Sequence, residues 1–116
     1  MSKKVLIYIV LSLLVISPAL AKGVPDKPFT VVIDAGHGGK DPGAIGKIAL
    51  EKNLNLDVAL LTGKMIKEQF PDVNVVYTRQ TDIFLPLQKR ADIVNSNSAD
   101  LFICIHTNSS ESKAAE

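Results

Sequence analysis

Three short apolar, β-rich runs separated by two helical patterns predict an α/β fold. The expected form is a mainly parallel sheet flanked by helices, in the order β-α-β-α-β. Two further observations support it. The runs lack the apolar–polar alternation of a half-solvated strand, as expected for strands covered on both faces. The chain's two histidines, His37 and His106, each fall just past the end of a predicted strand. That is where open α/β sheets hold their ligands.

Each element follows from local pattern. Residues 29–33, Phe-Thr-Val-Val-Ile, read as the first strand, and residues 34–46 carry five glycines and a proline and read as loop. From Glu51 to about residue 70, Leu54, Val58, Leu61 and Met65 recur at intervals of four, three and four. That spacing predicts a helix with this stripe toward the core, stopped by Pro71-Asp72. Residues 73–78 form the second predicted strand, and residues 79–84 a loop. Pro86 suits the first turn of a second helix running to about residue 97, with Leu87, Ala91 and Val94 on one face. Leu101-Phe102-Ile103-Cys104-Ile105 is the third strand, and residues 107–116 are polar without strand or strong helix signal.

The first 21 residues stand apart from this pattern. Lys3 and Lys4 precede an uncharged stretch over residues 5–16, followed by Pro18 and Ala19-Leu20-Ala21. A basic start, a short apolar core and a small-x-small end describe a secretory signal peptide. As a membrane span the stretch is short; an uncleaved anchor is the other reading, and no stable span is expected once the signal is cleaved. The predicted organisation is therefore signal peptide 1–21, lead-in 22–28 and one small domain from residue 29 to 116. Cleavage takes the formal net charge from +1 to −1. A near-neutral chain without a Lys/Arg cluster gives no basis for nucleic-acid binding. The single cysteine, Cys104, excludes an internal disulfide. Its place in a strand expected to be buried makes it a small core hydrophobe.

Chemistry concentrates on three residues. Glu51 sits three positions before Leu54, on the stripe expected to face the core, and a buried carboxylate needs a compensating partner. A metal ion is one such partner; placement in the first helical turn, near free N–H groups, is the other reading. His37 alone could be a loop histidine bonded to backbone. Two histidines and one carboxylate together match a three-ligand site with a position open for water, the usual catalytic zinc arrangement, although these donors also suit other divalent ions. The glycines do not make a phosphate loop. A dinucleotide fingerprint needs glycine where Asp41 stands, and a P-loop needs Ser or Thr where Ile48 stands. They leave room instead for sharp turns and a bulky ligand beside the histidine.

These segments resemble the zinc-dependent N-acetylmuramoyl-L-alanine amidases. The likeness is carried by Val32-Ile33-Asp34-Ala35-Gly36-His37-Gly38-Gly39, Asp41-Pro42-Gly43-Ala44, Glu51-Lys52-Asn53-Leu54-Asn55-Leu56 and Phe102-Ile103-Cys104-Ile105-His106-Thr107-Asn108. Thr78-Arg79-Gln80-Thr81-Asp82 and the segment from Leu87 to Arg90 add to it. The resemblance implies that His37, Glu51 and His106 bind one Zn2+ ion. It further implies hydrolysis of the amide between the lactyl group of N-acetylmuramic acid and the L-alanine of a peptidoglycan stem peptide. Arg79 and Arg90 match positions that the family keeps basic and are read as ion-pair or loop-anchoring residues, with substrate contact as the alternative. Asp34 is read as orienting a ligand histidine or forming a turn, and Asn108 as a structural neighbour of the site.

The resemblance also implies a fold of about six strands and a general-base glutamate expected beyond residue 116; Glu111 and Glu116 lie in the polar tail and are not assigned that role. The expectation is thus the N-terminal part of an amidase domain, inactive alone. The alternative is a zinc-holding remnant that grips peptidoglycan or a partner without cutting it. A metal-free exported domain with structural histidines is a third reading. Peptidoglycan as substrate places the protein outside the cytoplasmic membrane, in the periplasm or at the cell wall, with a wall-remodelling activator as a possible partner.

Overall fold

The computed structural model describes residues 26–108; the predicted signal peptide lies outside them. The chain runs β1 (Thr30–Ala35), α1 (Glu51–Gln69), β2 (Asn74–Tyr77), α2 (Leu87–Ser96) and β3 (Leu101–Ile105). The strands form one parallel sheet in the order β2-β1-β3, the α/β architecture expected. β1 continues two residues past its apolar run, taking in Asp34 and Ala35, because β3 extends its ladder: Asp34 pairs with Cys104 and Ala35 with Ile105, whereas pairing with β2 ends at Ile33 and Tyr77.

β1 is central and wholly buried. Its alternation splits the molecule into two layers. Val31, Ile33 and Ala35 face α1 and join Ala59, Leu56, Ile66, Val75, Tyr77, Ile103 and Ile105 in one core. Asp34 points to the opposite face, where it meets Arg90 of α2. β3 pairs with β1 on one side, and its other side is an edge among the described residues. Leu101, Phe102 and Cys104 are consequently exposed, which corrects the expectation that this strand, with its cysteine, is buried on both faces.

α1 begins without a side-chain cap at Leu50. The loop before it supplies the missing acceptors: Glu51 N–H donates to Ala44 O (2.9 Å) and Lys52 N–H to Pro42 O (3.1 Å). These bonds replace a cap and tie the helix start to the glycine loop. The buried residues of α1 are Glu51, Asn55, Ala59 and Gly63. The Leu54, Val58, Leu61 and Met65 stripe is 42–58% exposed, so it does not face the core. Successive helix residues lie about 100° apart, and the row one residue on from Leu54 and Val58 makes the contact. Small side chains there bring the helix axis close to the sheet. At Gly63 the approach leaves no room for a side chain, because the Tyr77 phenol fills it.

α2 follows the same logic with a polar contact. Pro86 is the residue before the helix rather than within it, and accepts Arg90 N–H at 3.2 Å. Leu87 and Ala91 are exposed and Val94 half-buried, whereas Arg90 is the buried residue. The helix presents its arginine because the sheet beneath offers Asp34. No helix among the described residues is long and apolar enough to cross a membrane.

Candidate metal centre

The pairing of β1 with β3 is what brings the two histidines together. Ala35 lies opposite Ile105, and Gly36 N–H donates to Ile105 O at 3.0 Å. His37 and His106 therefore leave adjacent strands at the same carboxyl end. Their rings pack edge to face, with centroids 4.9 Å apart. Gly36 is required by this approach, since any side chain on it would run into the His106 ring.

Glu51 comes to the same point from the start of α1. Gly43, in the loop bonded to that helix start, has φ +65° and faces the His37 ring and the Glu51 carboxylate. A side chain there would be both strained and blocked. His37 Nε2 lies 3.3 Å from Glu51 Oε1, and His106 Nδ1 lies 3.1 Å from that same oxygen. One donor atom from each of the three residues falls within 4.8 Å of the others.

The carboxylate is buried yet held ionised. Burial pushes its pKa up, but hydrogen bonds from Ala44 N–H, His106 and Asn55, with the charge of His37, outweigh this and lower it to about 2. Oε2 accepts Ala44 N–H at 2.8 Å and Oε1 accepts Thr107 N–H at 3.2 Å. These two amides come from the loop and from the end of β3, whereas Asn55, which donates to Oε1 at 3.5 Å, belongs to the helix that Glu51 begins. Among the described residues, its ion-pair partners are the two histidines, and no lysine or arginine neutralises it.

Asp41 fixes the first histidine. Its Oδ2 lies 2.8 Å from His37 Nδ1, and its Oδ1 accepts Gly43 N–H at 3.1 Å. With Nδ1 directed at Asp41, Nε2 of His37 faces Glu51 Oε1. Two ring nitrogens and a carboxylate oxygen thus converge, with an outer carboxylate orienting one imidazole, the arrangement of a metal-ligating histidine. The donor set therefore fits a divalent metal with imidazole and carboxylate ligands.

Asp34 does not have the histidine-orienting place considered for it. Its Oδ1 accepts Thr78 Oγ1 at 2.6 Å and Arg90 Nη1 at 2.7 Å, and its Oδ2 accepts Cys104 Sγ at 3.3 Å. The alternation of β1 puts it on the α2 side of the sheet. Asp41, four residues after His37, is the carboxylate that reaches the ring. Asn55 was also missed: fully buried, it donates to Gly36 O (3.1 Å) and accepts Thr107 Oγ1 (3.2 Å), linking the two histidine segments. A polar residue four positions after Glu51 was the available signal, since i and i+4 share a helix face.

Arg79 and Arg90 are both buried beside the site. Arg90 pairs with Asp34, whereas Arg79 donates to main-chain carbonyls. Asn108 is exposed at the rim of a depression of about 220 Å³ that also includes Glu51, Leu54 and Thr107. On the α2 side, a cavity of about 310 Å³ opens between His37, His106, Phe84, Pro86, Arg90 and Cys104.

Comparison with known proteins gives a consistent answer. A family model described as N-acetylmuramoyl-L-alanine amidase matches residues 31–116. The uncharacterized protein YqiI of Bacillus subtilis is 40% identical over 102 residues, covering 88% of this chain and 48% of that protein. The catalytic domain of CwlV, an N-acetylmuramoyl-L-alanine amidase from Bacillus (Paenibacillus) polymyxa var. colistinus, superposes with a TM-score of 0.67 at 44% identity, covering 74% of this chain and 49% of that one. The CwlD amidase of Clostridioides difficile, solved in complex with the GerS lipoprotein, gives 0.67 at 31% identity, with 74% and 51% covered. The chain thus spans about half the length of these relatives.

Proposed function

The chain belongs to the N-acetylmuramoyl-L-alanine amidase family, and from that premise we propose that it carries the zinc centre of a peptidoglycan hydrolase. The reaction is cleavage of the amide between the lactyl carbonyl of N-acetylmuramic acid and the amino group of L-alanine. One observation carries the reading: His37 Nε2 and His106 Nδ1 converge on a single oxygen of a buried, ionised Glu51 that has no Lys or Arg counterion among the described residues.

In this reading His37, Glu51 and His106 hold the ion. A divalent cation so held polarises an amide carbonyl and makes a nearby water more acidic, the chemistry that amide hydrolysis requires. Asp41 keeps Nε2 of His37 directed at the centre. The Ala44 and Thr107 amides keep the carboxylate aimed. Asp34 and Asp41 are already committed to Arg90 and His37, so neither takes the role of general base. The family resemblance assigns that role to a glutamate later in the domain.

Localisation follows from the substrate. The protein acts outside the cytoplasmic membrane, in the periplasm or at the cell wall, after removal of residues 1–21 as a signal peptide. An activating partner is part of the proposal, supported by CwlD having been solved with a lipoprotein.

Elemental analysis of the purified, zinc-replete protein tests the centre. The expected result is one zinc ion per chain, lost in His37→Ala, Glu51→Gln and His106→Ala variants that remain folded by circular dichroism. A folded wild-type protein without bound metal refutes it. Release of new alanine amino termini from peptidoglycan by the complete domain, abolished by chelation, tests the reaction; residues 22–116 alone are expected to release none.

A further inference from the structure

Three consecutive main-chain carbonyls at the end of β1 point into the protein at two arginines. Ala35 O accepts from Arg79 Nε at 2.9 Å and from Arg90 Nη1 at 2.8 Å. Gly36 O accepts from Arg79 Nη2 at 2.9 Å, beside the Asn55 bond. His37 O accepts from Arg90 Nη2 at 2.8 Å. His37 itself has φ +62°, a left-handed conformation uncommon outside glycine. The backbone reversal that aims its ring at Glu51 is thus secured from below by guanidinium groups.

We infer that Arg79 and Arg90 are positioning residues for the metal centre, holding the His37 backbone and the start of α1 in register before a cation arrives. The inference rests on the metal reading proposed above. Arg79 Nη2 also donates to Lys52 O at 2.9 Å, one residue past Glu51. One guanidinium therefore anchors both the histidine loop and the carboxylate-bearing helix. Arg90 Nε donates to Leu85 O at 3.1 Å, and its other nitrogens bond Asp34, Ala35 and His37, so every donor nitrogen of Arg90 is engaged within the protein.

The pair is costly to bury. Arg90 has Asp34 as counterion, but every hydrogen bond of Arg79 goes to a carbonyl: Ala35, Gly36, Lys52 or Thr81. Burial and the neighbouring charge of Arg90 lower its pKa. Adjacent buried cations are a poor device for stability alone. They suit a task that needs several donors at fixed angles, which the planar guanidinium supplies and a lysine ammonium does not.

The test uses Arg79→Lys and Arg90→Lys, which keep the charge and remove the fork. In metal-free protein, hydrogen exchange at the Gly38 amide, bonded to Asp41 O at 2.8 Å, reports the loop, and exchange in β1 reports the fold. Zinc affinity by chelator competition reports the centre. Faster exchange at Gly38, unchanged protection in β1 and zinc affinity weakened by about tenfold or more are expected. Unchanged Gly38 exchange and affinity in folded variants overturn the inference, as does equal loss of protection in β1 and the loop. Should Arg90→Lys not fold, Arg79→Lys, which orphans no carboxylate, decides. If wild-type protein binds no zinc the metal reading fails, while the metal-free exchange comparison still judges the anchoring.

Discussion

Asp34 shows how one buried side chain sets a pH dependence. Burial pushes its pKa up, but hydrogen bonds from Thr78, Arg90 and Cys104, with the charge of Arg90, outweigh burial, and the net shift is downward. A carboxyl with a lowered folded pKa stabilises the protein above its unfolded value, and that contribution is lost as pH falls through the folded value. Thr78→Val removes the 2.6 Å bond without changing the side-chain shape. A hydrogen bond to a charged group contributes about 1.5–3 kcal/mol, so a loss of that order is expected at neutral pH by urea denaturation. The loss shrinks in acid, as Asp34 is protonated in both proteins. A loss independent of pH rules this account out. The same carboxylate governs Cys104: the residue is exposed, but partial desolvation on its Asp34 side and the Asp34 carboxylate raise the thiol to about 11, which makes it a hydrogen-bond donor rather than a nucleophile.

The residue scale also separates what was legible in the sequence from what was not. His37, Glu51 and His106 stood out because each is of a ligand type and sits at the end of a predicted element. Asp41 did not, because an aspartate between glycines and a proline has an ordinary turn-forming explanation; only the loop's path shows that it reaches the ring. Asp34 was placed wrongly because its face depends on β1 running on to Ala35, two residues past the apolar run.

At the scale of the element, α1 illustrates why a correct period can give a wrong face. The intervals of Leu54, Val58, Leu61 and Met65 identify a helix, but not which row touches the sheet. That choice was settled by close approach through Ala59 and Gly63, which small residues permit and hydrophobicity does not reveal. Gly63 provides a test. Glycine in a helix interior costs about 1 kcal/mol relative to alanine, so Gly63→Ala would stabilise an unconstrained helix. Here the new methyl group would meet the Tyr77 ring, and overpacking costs about 1–3 kcal/mol. Net destabilisation is expected in thermal melts, with Tyr77→Val restoring part of it in the double variant. A stabilised Gly63→Ala, or additive double-variant effects, places the helix elsewhere on the sheet.

For the whole molecule, the apolar surface is lopsided. The β2 side of the sheet is covered by α1, through the contact of Gly63 with Tyr77 and the Tyr77 hydroxyl bond to Leu60 O. On the β3 side, Leu54 borders the depression that holds Thr107 and Asn108, so the exposed stripe of α1 begins beside the exposed edge strand. Leu101 and Phe102 of that strand are nearly half exposed. Among the described residues this apolar edge is open, and an edge of this kind is a template for association. Replacing Leu54 and Val58 together by lysine should therefore change unfolding free energy by only about 1 kcal/mol, in line with surface sites. Ile33→Ala, which empties fully buried space, should cost about 2–5 kcal/mol. The lysine variant should also sediment as a smaller species than wild type at the same concentration, because charge now borders the edge. A lysine pair as damaging as Ile33→Ala would mean that the α1 stripe packs within the chain after all. Unchanged sedimentation would place any association surface away from β3.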